Sequence, residues 1–334
     1  MNKKATNAIK YSLSFVLAAF LVYFAFSKVS WDAFLAGLQS TRWSYIALFL
    51  LASVLALLFR NVRWRLLMKP LDPEVKSLDS WDATNIGNVA NIAIPGAGEF
   101  IRCGYMSSKR MNFEKTFGTM VCERAWDVIS ILILILIALA AKWESFGSFF
   151  RENILGAASE KFTLSFWLLM LASLVIVSLA AWLVYRFRGK NRFCGRIASA
   201  VRGLWDGFIS FTKVRSKFLF VTYTAGIWAS YVLMTYFIIL AMPSLDGLGL
   251  ADAVLISAMG NIASVIPVPG GIGAYHYIVA LTLQALYGAD WDTGVLFATL
   301  NHELHALLVI ALGVISYFRI SSSRRTQDAT DDTR

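Results

Sequence analysis

The longest apolar runs constrain this chain most. A helix needs about 20 apolar residues to cross the roughly 30 Å hydrocarbon core of a bilayer. Six stretches reach or approach that length: about 9–27, 43–59, 117–141, 163–185, 218–241 and 293–318. The second is short, but Trp43 and the basic run starting at Arg60 anchor its two ends. Segment 131–140 is apolar on every side and is expected to face lipid. Composition agrees with this reading. Charged residues are 16% of the chain and hydrophobic ones 57%, against about 25% and 45–50% in soluble domains. So few charges could not cover a soluble surface. The predicted fold is an all-α polytopic membrane protein.

The charges that remain are basic, 31 Lys+Arg against 21 Asp+Glu, a net +10. A nucleic-acid partner is excluded, since its basic footprint would lie on a polar surface and not between apolar runs. The cations instead sort by side. The N-terminus carries three, residues 60–81 five, residues 102–115 four, the connection 186–217 nine and the tail four, so 25 of 31 fall on one side. Cytoplasmic loops hold the excess of Lys and Arg, which places both termini and the 186–217 connection in the cytoplasm of a bacterial inner (cytoplasmic) membrane. No small-x-small cleavage site follows the first apolar run, so that run stays a span. Three cysteines, Cys103, Cys122 and Cys194, have neither disulfide nor zinc spacing. No cofactor and no metal is expected.

Two further apolar stretches, about 84–101 and 253–287, carry Gly and Pro in their middles. These residues cost about 1 and 3 kcal/mol in a helix interior, and broken backbone survives at membrane depth only where protein or a wet cavity satisfies it. The first is flanked by basic residues on both sides, the second by Asp246, Asp252, Asp290 and Asp292. The expectation is two re-entrant hairpins entering from opposite faces; paired full spans would give the same sidedness. Gly87-Asn88 leads to Pro95-Gly96-Ala97-Gly98, and Gly260-Asn261 leads to Pro267-Val268-Pro269-Gly270-Gly271-Ile272-Gly273. With about six full spans, this suggests an inverted-topology repeat of the kind transporters use. Residues 1–141 form the first repeat and 142–318 the second, with 319–334 a disordered tail. The connection 186–217 reads as an amphipathic interfacial helix on anionic lipid, and residues 31–42 as a shorter one outside.

Charged side chains at bilayer depth are costly and default to function. The helix of this span is expected to start near Phe113, so Glu123 lies about ten residues in, about 15 Å deep, with Arg124 beside it and Asp127 one turn on. A functional site and a structural ion pair are both open there. Asn301, His302, Glu303 and His305 lie at a similar depth in the last span; with His276 they include every histidine of the chain. His302-Glu303-Leu304-His305 lacks the i, i+4 pair of a zincin, so a polar lining or proton relay is preferred to a metal, with a satisfied structural cluster also open. At the first hairpin, Gly96 and Gly98 let backbone amides approach an anion, Arg102 offers a bidentate grip and Glu99 suits an amine. Asn88, Asn91, Gly270, Gly271 and Gly273 complete the candidate substrate-binding set. Arg60 and Arg63 read as an inner-leaflet anchor, or as a device drawing anionic headgroups to the hairpin.

Arg60-x-x-Arg63-Trp64, then residues 91–102 (NIAIPGAGEFIR), then Glu123-Arg124-x-x-Asp127, then Pro267-x-Pro269-Gly270-Gly271-Ile272-Gly273 together resemble the flippase-like family, the transmembrane region of lysylphosphatidylglycerol synthases. The resemblance runs from about residue 9 to 318. It implies a lipid translocase moving an anionic or aminoacylated phospholipid, or a polyprenyl or glycolipid, between leaflets. In the best-known relatives a soluble aminoacyl-transferase domain follows; this sequence ends 16 residues after the last span, so the expectation is the translocase part alone. The family often has an acid after the second Gly-Gly-x-Gly, where this chain has Ala274-Tyr275-His276, which implies different headgroup chemistry. The expected partners are membrane lipids, anionic at the cytoplasmic face, and a homo-oligomer is compatible. Two other readings stay open: a lipid-modifying membrane enzyme using His276, His302, His305 and Glu303, and an accessory protein of an envelope glycolipid pathway.

Overall fold

The computed structural model describes residues 19–141 (without 21, 24 and 28), 186, 192–263 and 268–331. Helices dominate, and no strand occurs among the described residues. Four helices are long and apolar enough to cross a membrane: α2 (Trp43–Met68), α5 (Phe113–Ala141), α7 (Lys217–Ala241), and the Trp291–Ser322 part of α10 (Trp291–Asp331). They correspond to four of the six expected spans. The expected span 163–185 lies outside the described residues, and so does most of 9–27. Helix α2 runs well past residue 59, through Arg60 to Met68. On α5, Leu132, Ile133, Leu136 and Ile137 are exposed as expected, but Leu134 and Ala138 are buried, Ala138 against Leu255 and Met259. That corrects the expectation of lipid contact all round: i and i+4 share a stripe, and this stripe has a helix to pack on.

Each Gly/Pro segment forms a helical hairpin. The first joins α3 (Ser77–Ala93) to α4 (Ala97–Met106) through Ile94, Pro95 and Gly96. The second joins α8 (Leu250–Ala263) to α9 (Ala274–Tyr287) through a 3₁₀ turn at Pro269–Gly271. Both second arms start from a glycine of positive φ, Gly96 (80°) and Gly273 (84°), a conformation a side chain rarely adopts. At about 1.5 Å per residue the longest arm is about 25 Å, short of a full bilayer core. The arms of the first hairpin touch where Gly98 meets the Gly87 carbonyl, and the Gly98 N–H donates to Asn91 Oδ1 at 2.7 Å. A Gly98→Ala substitution would drive a methyl into that carbonyl and should destabilise the protein by about 1–3 kcal/mol. Gly104→Ala, on the same helix with open space around it, should leave the thermal midpoint unchanged or raise it; thermal unfolding in detergent compares the two.

Packing between halves is reciprocal. The first arm of one hairpin, α3, lies against α10, and the first arm of the other, α8, lies against α5. Helices α2 and α7 pack along each other at the centre, burying Phe49 and Ala52 with Ile227, Ile238 and Ile239. Helix α1 (Trp31–Ser40) sits where the shorter interfacial helix was expected. The basic connection contains α6 (Arg192–Phe208), and its Gly203 and Gly207 let it pack closely on α5 near Gly118, so this element is more than a lipid anchor. The expected disordered tail differs: α10 continues to Asp331. No Gly or Pro interrupts residues 314–331, and Arg319 is tied to buried Asp82 of α3, its Nε donating to Oδ2 at 2.9 Å. Outside the spans, Arg42 pairs bidentately with Asp246 at 2.8 and 2.6 Å, and that hydrogen bond holds the Asp246 carboxyl below its usual range.

Candidate functional site

Arg60, Arg63 and Trp64 occupy i, i+3 and i+4 of α2, so they share one face. That face meets α5 and the second arm α4. Glu123 is the hub, with a side chain that is 0% exposed. Its Oε1 accepts from Arg60 Nε at 3.1 Å and from Arg63 at 3.4 Å. Its Oε2 lies 3.0 Å from Arg102 of α4. Arg63 also donates to Asp127 at 2.6 Å. Arg124 donates to Glu99 of α4 at 2.8 Å and approaches Asp127 at 3.6 Å. The Arg102 guanidinium stacks 4.5 Å over the Trp64 ring, and Trp64 Nε1 donates to Thr119. Taking such ions from water costs several kcal/mol each, and close opposite charges repay it. With every group ionised, four arginines face three carboxylates, so the cluster keeps one surplus positive charge.

That surplus borders a cavity. About 720 Å³ lies between the two hairpin tips and helices α2, α5, α7 and α10, within the range of small-molecule sites. Of the expected site residues, Arg60, Asn88, Asn91, Gly96, Glu99, Arg124, Gly270, Gly271, Asn301, His302 and His305 line it. The rest stand behind. Gly98 is consumed by helix contact, Arg102, Glu123 and Asp127 by the ion cluster, and Gly273 by the turn. Arg63 is 0% exposed and committed to two carboxylates, so it meets neither a leaflet surface nor a headgroup. Arg60 is only 15% exposed, and its opening is into the cavity. Sequence reading missed Tyr231, Thr235, Ser257, Asn261 and Tyr275 on the walls. Asn261 carried a signal: Gly260-Asn261 repeats Gly87-Asn88.

The second half places different groups at matching positions. Glu99 is the third residue of α4 and His276 the third of α9. Glu123, Arg124 and Asp127 stand as far into α5 as Asn301, His302 and His305 stand into α10. Where the first half has the Glu99–Arg124 pair, the second has His276 and His302, with ring centroids 5.7 Å apart. Glu303 joins them, 3.0 Å from His302 Nδ1 and 3.8 Å from His276 Nε2. Tyr275 lies against the His302 ring at 5.1 Å, and Asn301 Nδ2 donates to Thr235. Among the described residues no three His, Cys, Asp or Glu side chains converge as metal ligands do.

A family model described as the lysylphosphatidylglycerol synthase TM region matches residues 11–313. No curated protein and no solved structure matches.

Proposed function

The chain belongs to the lysylphosphatidylglycerol synthase TM-region family, and from that premise we propose that it moves a lipid with an anionic headgroup between leaflets. One observation carries the reading: an open cavity of about 720 Å³ between two hairpin tips, with Arg124, 42% exposed, in its wall. The headgroup enters this space while the acyl tails stay in lipid. Arg124 and Arg60 meet the phosphate, and Asn88, Asn91 and Asn301 replace its water. Glu99 takes an amine where the headgroup has one. No bond-making step is assigned to the chain; it acts as a translocase.

The two halves act as an inverted repeat. Reciprocal packing of each first arm on the other half's last long helix, the paired positive-φ glycines and the matched polar positions support this. Both hairpins are re-entrant, from opposite faces, and both termini are cytoplasmic in a bacterial inner membrane, as the distribution of Lys and Arg favours. Rocking of one half against the other then exposes the cavity alternately.

The test is lipid retention. Mass spectrometry of mildly purified protein should find a phosphate-bearing lipid bound near one per chain. Asn88→Trp puts a large side chain into the cavity, and should lose most of that lipid while keeping the wild-type melting profile. A wild-type protein without such lipid, or equal retention in the variant, would refute the reading.

A further inference from the structure

The ion cluster in the first half cannot change charge easily: its cations are arginines, which stay protonated, each held by a carboxylate. The second half is built from groups that can. His302 has one edge on the cavity and the other on Glu303. Its Nε2 lies at the tip turn beside Gly271, and its Nδ1 is 3.0 Å from Glu303 Oε1. Glu303 does not line the cavity, yet its side chain is 36% exposed. The His302 ring therefore stands between the cavity and a partly exposed carboxylate outside its lining.

We infer that His302 and Glu303 form a proton site linked to occupation of the cavity by an anionic headgroup, which makes the proton the coupling ion. This rests on the lipid-binding reading above. A proton arriving at Glu303 passes to His302 Nδ1. The imidazole then carries a proton on each nitrogen, Glu303 returns to a carboxylate beside it, and the cavity wall gains one positive charge. That charge stands across the cavity from Arg124, at the matching position of the other half. A headgroup phosphate between them is held from both sides. When the headgroup leaves, the proton leaves with it.

The groups facing His302 are consistent with this. Tyr275 and His276 come from α9, and Glu303 and His305 from its own helix. Arg60, Glu99 and Arg124 line the same cavity. Glu303 is the carboxylate in contact, and it stabilises the imidazolium. The Nδ1 atoms of His276 and His305 are buried without hydrogen-bond partners, as in neutral rings, so His302 is the histidine placed to hold the charge.

Linkage makes the effect reciprocal: if the anion favours the proton, the proton favours the anion equally. The probe is dihexanoyl phosphatidylglycerol titrated calorimetrically into the full-length protein, in buffers of different ionisation enthalpy, with dihexanoyl phosphatidylcholine as the zwitterionic control. Wild type should take up close to one proton per anionic lipid near neutral pH. Its Kd should fall by up to about tenfold per pH unit on acidification. His302→Gln should take up no proton and bind at the weak, high-pH affinity at every pH. Glu303→Gln should shift proton uptake to lower pH, which a merely structural role would not do. Binding without proton uptake, or uptake retained in His302→Gln, would overturn the proton site and leave the lipid reading standing. Failure to bind either lipid at any pH would overturn the lipid reading itself, and the proton site with it.

Discussion

Replacing Glu123 with Gln should destabilise the protein by about 3–5 kcal/mol, the cost of leaving buried charge uncompensated. Three guanidiniums, from Arg60, Arg63 and Arg102, share this one carboxylate. Arg63 keeps Asp127; Arg60 and Arg102 have no other ion pair among the described residues. The cluster's formal charge rises from +1 to +2 around a hub whose side chain is fully buried. The thermal midpoint in detergent should fall by on the order of 10 °C, with reduced yield of folded protein. A second substitution separates charge from shape. Arg102→Met alone should also destabilise, since Glu123 and Trp64 each lose a partner. In the double variant the charge returns to +1, so the two effects should sum to clearly more than the pair costs together. Strict additivity would mean that the cluster is held by packing and that its charges are incidental.

Much of the fold was readable because it follows from run length. Spans 117–141 and 218–241 came within a few residues of α5 and α7, and the glycines and prolines marked both hairpin turns. Boundaries failed where polarity had a tertiary cause. Helix α2 was expected to stop near 59 because Arg60 ends the apolar run. It continues because Arg60 and Arg63 meet a carboxylate 60 or more residues away, which no local pattern records. The first arm was expected to begin near 84, not at Ser77, since Asp79, Ser80 and Asp82 lie before the apolar run. Asn61 accepts from Ser80, and Arg319 pairs with Asp82. The tail 319–334 looked disordered on composition, which cannot see that Arg319 reaches that same Asp82; residues 332–334 lie outside the described ones.

The site shows the same division. Glu123, Arg124 and Asp127 stood out because charge is rare in an apolar helix. Tyr275, Ser257 and Thr235 on the walls of the same cavity did not, since a hydroxyl in a membrane helix is ordinary and only the fold turns it towards a cavity. Arg60, Arg63 and Arg102 join Arg124 in the structure, and what distinguishes Arg124 is exposure. At 42% exposed, it is the member of the cluster with the most surface left for a ligand.

That exposure yields the second large effect. Arg124→Gln removes the headgroup contact and takes the cluster from +1 to zero, a change the fold should tolerate because Glu123 keeps all three of its arginines and the new amide can still donate to Glu99. Losing one charge-assisted contact of about 1.5–3 kcal/mol slows lipid movement by about 10- to 100-fold. Arg124→Lys, which keeps the charge without the planar fork, should fall between the two. The direct measurement uses proteoliposomes holding a headgroup-labelled anionic phospholipid, with label in the outer leaflet destroyed by a membrane-impermeant reductant. Wild-type protein should expose the inner-leaflet label to quenching, and Arg124→Gln, with an unchanged melting profile, should leave that label protected. Absence of protein-dependent movement for every labelled lipid, or an Arg124→Gln rate equal to wild type, would contradict the account.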